Sequence, residues 1–198
     1  MKSGKGGNFE RKISKALSLW WSRGKNDAVF WRTSQSGGRA TERSKKGKKT
    51  KGQDADYCAT DPIGQPLMDL CTIESKTGYG TASIMDLIDR LDVHNPPYGK
   101  FFEQCIQENK NSGRCFWMLI SRRYNRSVMI YMPLRLYTLL IVHGAKLLRA
   151  KPSLSFQCTL KNGKKIKVYA TTFKSFTRVK FLVRAFKRLN KSIEKADE

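Results

Sequence analysis

The segment 54–76 constrains this chain most. Two short β-prone runs, 54–60 and 68–76, flank the turn Asp61-Pro62-Ile63-Gly64-Gln65-Pro66. Proline presets φ and glycine relaxes it, so this stretch predicts a chain reversal. An antiparallel ladder centred on Gln65 sets Asp56 opposite Glu74 and Asp54 opposite Lys76. Side chains alternate across a strand, so Glu74 and Lys76 share a face while Ser75 points away. Two carboxylates and an ammonium therefore converge on one patch of a chain with formal charge +23. The combination suits a metal-dependent enzyme that acts on a polyanion.

A length of 198 residues favours one domain, and 39% hydrophobic with 11% aromatic content is enough for a buried core. The most apolar run, Leu136 to Val142, is far shorter than the roughly 18–20 residues of a membrane span. Met1 to Gly7 is basic, but no apolar signal core follows it. The five cysteines (58, 71, 105, 115 and 158) are odd in number and contain no CxxC pair. That pattern argues against a disulfide scaffold or a zinc site and for reduced, mostly packed residues in a cytoplasmic protein. No membrane partner is expected.

Charge is unevenly spread. From Asn109 to Ile193 there is no Asp or Glu, against 20 Lys and Arg. Within the Gly-, Ser- and Lys-rich stretch 33–53, the residues Arg39, Arg43, Lys45, Lys46, Lys48, Lys49 and Lys51 stand against the single Glu42. Any one lysine is adequately explained as a solvated surface group. An acid-free half of a chain repels itself unless an anion offsets the charge, and nucleic acid is the leading candidate.

Periodicity predicts a helix from an Asn8 cap to about Ser22, with Phe9, Ile13, Ala16, Leu17 and Trp20 on one face. A short strand is expected over 28–32 and a mobile loop over 33–53. Helices follow at Ser83–Leu91 and Lys100–Gln107, interrupted by Pro96-Pro97. Strands are expected over 115–121 and 128–132, then a hairpin at Asn162-Gly163 and one last helix from Phe173 to about Lys191. The four tryptophans read as core. The order predicts an α+β domain, an α/β/α sandwich with a mixed central sheet flanked by helices.

Several motifs carry a family resemblance. Gly7-Asn8-Phe9-Glu10-Arg11 resembles the first-helix motif of the Holliday-junction-resolvase branch of the PD-(D/E)XK nuclease superfamily. Ser34-Gln35-Ser36-Gly37-Gly38 is similar to the Ser/Gly loop after its first strand. Ala55-Asp56-Tyr57 through Pro62, and Ile73-Glu74-Ser75-Lys76, resemble its two catalytic motifs. The likeness to phage-encoded members extends through Phe102-Glu103-Gln104 to about Pro133. It implies a restriction-endonuclease-like core over 1–133; beyond that no family motif is recognised, and periodicity and turn residues make 134–198 a basic extension of helix, hairpin and helix expected to pack on the core. Ala55 replaces the Pro or Gly expected before the aspartate.

By this resemblance Asp56, Glu74 and the carbonyl of Ser75 hold Mg²⁺, for which Mn²⁺ substitutes. Glu10 binds a second ion or orients the water, and Lys76 acts as the catalytic lysine. Asp54 is an alternative ligand if the turn is offset, and Gln104 is a further residue able to reach the site. The implied activity is cleavage of DNA, with branched junctions as substrate, in phage DNA metabolism within a bacterial host. In-line attack would leave a 5′-phosphate, and the paired strands of a junction imply a homodimer. The Arg39–Lys51 cluster would follow DNA phosphates.

Duller explanations exist for each residue. An acid near a helix start gains up to about 1 kcal/mol from the macrodipole, and Asp-x(n)-Glu-x-Lys arises by chance. Two other functions stay open. One is a restriction, nicking or DNA-repair nuclease of the same superfamily. The other is a basic DNA-binding protein without catalysis.

Overall fold

The protein is described by a computed structural model covering residues 5–33, 55–89, 96–147 and 150–197. Helix α1 spans Lys5–Trp21. It starts a turn earlier than the expected Asn8 cap, because glycines 6 and 7 are drawn into its first turn. The Asn8 side chain instead accepts from Arg11 at 2.6 Å. Phe9, Ile13, Leu17 and Trp21 recur every four residues and are all buried. The helix ends where Arg23 (φ 59) and Gly24 (φ 83) turn left-handed, with the Gly24 amide closing onto the Leu19 carbonyl at 2.6 Å.

Strands β1 (Phe30–Arg32) and β2 (Tyr57–Ala59) pair antiparallel, Arg32 facing Tyr57. The main sheet has five strands: β3 (Cys71–Thr77), β4 (Phe116–Arg122), β5 (Met129–Pro133), β6 (Ser153–Thr159) and β7 (Lys165–Thr172). Their order is β3-β4-β5-β7-β6. Only β3 and β4 run parallel, so the sheet is mixed as expected. The crossover between them carries α3 (Asp86–Asp89) and α4 (Pro97–Ser112). Pro97 sits in the first turn of α4, where its missing N–H costs nothing. The predicted break at Pro96-Pro97 is therefore the start of that helix. Gly113 (φ 71) closes its other end.

Alternation along β4 divides the interior. Phe116, Met118 and Ile120 face one cluster with α1, while Trp117 and Leu119 face a second with Phe102 and Cys105 of α4. Helix α5 (Leu134–Val142) buries Leu136 and Leu140 in the first cluster. The β6–β7 hairpin turns at Gly163 (φ 77) and joins the same sheet through β5. Among the described residues no helix is long and apolar enough to cross a membrane.

Two expectations are corrected by packing. The last helix is two, α6 (Phe173–Thr177) and α7 (Leu182–Asp197), broken at Phe181, whose φ is 64. The break lets α6 bury Phe173 and Phe176, while α7 turns Leu182, Ala185, Phe186 and Leu189 inward. Phe186 then meets Trp20 and Trp21, with ring centroids 6.1 and 6.2 Å apart. Trp31 is not core: it is 49% exposed on the short β1.

The larger correction concerns residues 61–70. They form no hairpin turn between paired strands. Asp61 caps a single 3₁₀ turn (Pro62–Gly64) through the Ile63 amide at 3.0 Å, and helix α2 (Gln65–Leu70) follows. Leu67, Met68 and Leu70 become buried, and that burial outweighs a ladder between 54–60 and 68–76. A Cβ at Gly64 would stand 2.7 Å from Phe30 Cε1 and 2.8 Å from Val29 Cγ1. Gly64→Ala should therefore overpack the core and cost about 1–3 kcal/mol, read as a lower thermal midpoint. An unchanged midpoint would show that this turn is loosely packed.

Candidate active site

Without a hairpin ladder, Asp56 still reaches Glu74's strand. Its amide donates to the Ile73 carbonyl at 3.2 Å, and its carbonyl accepts from the Thr33 amide at 2.9 Å. Asp56 is therefore held just ahead of β2, between the end of β1 and the middle of β3. Its side chain crosses to β3, where Oδ2 accepts from the Ser75 amide at 2.8 Å. Asp56 is 8% exposed and Glu74 3%.

Glu74 and Lys76 lie on one face of β3, as alternation predicts. Lys76 Nζ donates to Glu74 Oε2 at 3.3 Å. Ser75 points the other way, its hydroxyl in contact with the buried Tyr57 hydroxyl. Glu10 comes in from α1, its Oε2 3.6 Å from Arg32 Nε of β1. Gly7 has a clear role in this arrangement. A Cβ there would stand 2.6 Å from Arg32 Nη1, so a bare backbone lets the guanidinium lie against α1.

Gln104 also reaches the site. From α4 its Nε2 donates to Glu74 Oε2 at 3.3 Å and to Glu108 Oε1 at 2.7 Å. Glu108 is the participant that sequence reasoning missed. Its carboxyl lies against that of Glu74, and its Oε2 is buried with no hydrogen-bond partner. Two carboxyl groups can share a hydrogen bond only if one of them carries a proton, so their contact favours the protonated form of Glu74. Its spacing puts it on the same helical face as Gln104, four residues earlier, but a Gln–Glu pair at that spacing is common on solvent-facing helices and marks no site by itself.

The acids strain against each other. Burial pushes the Asp56 carboxyl up to about 7; the Ser75 amide opposes this, and the neighbouring Glu10 charge adds to it. Burial likewise raises Glu74 well above the carboxylate range, reinforced by Glu108 and Asp56. Lys76 is pulled down by burial, but Glu74 and Asp56 outweigh that and raise it. The side chain thus stays an ammonium. Glu10, Asp56, Glu74 and Glu108 bring four potential negative charges against Lys76 and Arg32. The patch attracts cations within a basic protein.

Asp54 and the seven basic residues Arg39, Arg43, Lys45, Lys46, Lys48, Lys49 and Lys51 lie outside the described residues. Among the described residues no three His, Cys, Asp or Glu side chains are already gathered as a metal cage. His143 and the cysteines take no part in the patch, apart from the buried Cys105 behind Glu74, whose thiol burial and Glu74 push well up.

Residues 1–183 match the family described as "Phage putative PDDEXK endonuclease". No curated protein and no solved structure matches the chain. The match takes in α1, both short strands, the Glu74-Ser75-Lys76 strand and the whole five-stranded sheet. With 183 of 198 residues matched, the chain belongs to this family of phage PDDEXK endonucleases.

Proposed function

We propose that the protein is a Mg²⁺-dependent endonuclease that hydrolyses DNA phosphodiester bonds and selects branched, Holliday-junction-like DNA. The observation that supports this best is the meeting of buried Asp56 and Glu74 with half-buried Lys76, with Glu10 and Glu108 beside them. The donor set fits a hard divalent ion. Its donors are carboxylate oxygens in excess of the local cations, and Glu108 Oε2 is orphaned among them. Mg²⁺ takes one or two carboxylates and completes its shell with waters and substrate phosphate, so no cage of three acids is required. Mn²⁺ should substitute.

Asp56 and Glu74 would hold the ion, with the Ser75 carbonyl as a further oxygen and Glu10 serving a second ion or the attacking water. When bound, the ion polarises the scissile phosphate and acidifies a water. The chain's own groups do the rest. Ser75 N–H and the backbone bonds of Asp56 fix one carboxylate before substrate arrives, so little reorganisation is needed. Lys76, kept charged by its acidic neighbours, offsets the negative charge that builds on the phosphate oxygens during in-line attack. Gln104 orients Glu74, and Arg32 restrains Glu10. Phosphate contacts from Arg39 to Lys51 and a two-fold dimer would match the paired strands of a junction.

Plasmid, linear duplex and four-way junction, each with Mg²⁺ or EDTA, test the assignment. Mg²⁺-dependent cutting of the junction in preference to linear duplex is expected. Cutting confined to one short sequence in linear duplex would replace it with a restriction-type enzyme. Binding without cutting under any divalent ion would leave a non-catalytic DNA-binding protein.

Glu108 has its own expected result. Glu108→Gln should raise the Mg²⁺ concentration for half-maximal cleavage and slow the reaction about 10–100-fold, the usual cost of losing an outer partner of a metal ligand. A wild-type Mg²⁺ titration in this variant would remove Glu108 from the site.

A further inference from the structure

A cleft between the C-terminal end of α1 and helix α7 takes no part in the site described above. Arg23 and Lys25 wall it on one side and Arg184, Lys187, Arg188 and Lys191 on the other, with Trp21 and Ile63 also lining it. The four α7 residues recur at helical spacing on the face opposite the buried Leu182, Ala185, Phe186 and Leu189. All six basic residues are exposed. Among the described residues, none of the six has an acid within ion-pair distance.

Neighbouring acids are engaged elsewhere. Asp27 pairs with Lys15 at 2.8 Å, Asp61 accepts from Asn26 and from the Ile63 amide, and Glu194 accepts from Asn190. Six like charges around one cleft repel each other, and a polyanion lying among them would remove that cost. Two local features bear on these charges. Lys187 Nζ stands 5.8 Å from the Trp21 ring centroid. Arg23 occupies a left-handed position (φ 59) that ordinarily selects glycine, yet the chain carries a long cation there.

Placement relative to the active site gives a scale. Glu10 and Trp21 are eleven residues apart on α1, close to three full turns, so they share a helix face about 16 Å apart along the axis. Each base pair adds about 3.4 Å along the duplex axis, so for a duplex lying parallel to α1 this separation is about five base pairs.

We propose that this cleft is a second DNA-backbone site, gripping duplex phosphates about five base pairs from the bond cut at Asp56 and Glu74. It rests on the endonuclease reading and specifies where that enzyme holds a duplex arm.

The test is binding of a short fluorescein-labelled duplex, in Ca²⁺ buffer over a salt series, to wild type and to the combined variant Arg184→Gln, Lys187→Gln, Lys191→Gln. Affinity should fall about 10–100-fold, and the slope of log K against log salt should become shallower by about 3, one per lost phosphate contact. The thermal midpoint should stay within a few degrees of wild type, because the lost Lys187–Trp21 contact is set against relief of repulsion among the six charges. Each single substitution should shift the slope by about 1, which keeps the test valid if the combined variant misfolds. Lys165→Gln, Lys167→Gln, Lys174→Gln removes the same charge from other exposed positions and should weaken binding far less.

Ethylation of single phosphates should interfere with wild-type binding about five base pairs from the cut, and this interference should vanish in the cleft variant. Equal weakening by the two triple variants, or wild-type binding by the cleft variant, would overturn the proposal. If wild type cuts DNA and the cleft variant binds normally, the cleft alone is disproved. If wild type binds DNA but never cuts it, the endonuclease reading fails instead.

Discussion

Glu74→Gln is expected to reduce Mg²⁺-dependent DNA cleavage by about a thousandfold or more, with duplex affinity in EDTA unchanged. Glu74 is the buried point on which Lys76, Gln104 and Glu108 converge, and it shares its patch with Asp56. The amide keeps the shape of the side chain and can still accept from Lys76. It cannot supply the anionic oxygen that a hard cation needs. DNA affinity rests on the basic surface instead, so binding should survive. Single-turnover cleavage and anisotropy on the same protein sample separate the two effects. A variant that cuts within about tenfold of wild type would take Glu74 out of the reaction and leave the patch a structural feature.

Removing and restoring the divalent ion should move stability by an amount that is easy to measure. At a Mg²⁺ concentration about 100-fold above its dissociation constant, the ion should add about 2.7 kcal/mol, or roughly 5–10 °C for a chain of this size. The reason lies in the acids themselves. Burial disfavours the ionised form of Asp56, and the Glu10 and Glu108 charges disfavour it further. In EDTA the protein bears that cost without compensation, and a bound cation removes it.

Asp56→Asn should therefore behave in two opposite ways. Its carbonyl oxygen can still accept from the Ser75 amide, so the fold is kept, and the thermal midpoint in EDTA should rise by several degrees. The Mg²⁺-dependent rise should disappear, along with cleavage. Differential scanning fluorimetry with and without EDTA reads both. A variant that melts lower than wild type in EDTA would mean that Asp56 stabilises the fold through its charge, and the cation argument would fail.

Much of this site was legible in one dimension because strand geometry is local. Alternation along Cys71–Thr77 places Glu74 and Lys76 together and Ser75 apart whatever lies upstream, and the 3.3 Å Lys76–Glu74 contact follows from it. Four-residue spacing located the buried face of α1 in the same way. The ladder drawn through Gln65 did not survive, because its register rested on a turn whose residues have another use. Leu67, Met68 and Leu70 gain more by burial as a helix than as a strand exposed on one face. Asp56 meets β3 through its own backbone bond to Ile73 instead.

Glu108 was invisible for a different reason. Nothing within its helix marks it as more than a surface acid following Gln104. Its importance arises only when α4 packs on β3 and β4 and presses one carboxylate onto another. The break at Phe181 belongs with it, since a continuous helical pattern from Phe173 carries no sign that two packing directions must be met.

What the sequence determined by itself is what depends on neighbours a few residues away. That includes the amphipathic helices, the alternating strands, the Glu74–Lys76 pair, the mixed α+β class and the concentration of positive charge. Only the tertiary structure decided which distant groups share a desolvated volume. It brought Asp56, Glu10 and Glu108 to Glu74 from two helices and the segment ahead of β2, and it set the basic side of α7 against the end of α1. The physical reason is that burial and charge coupling act through space, over distances that chain separation does not record.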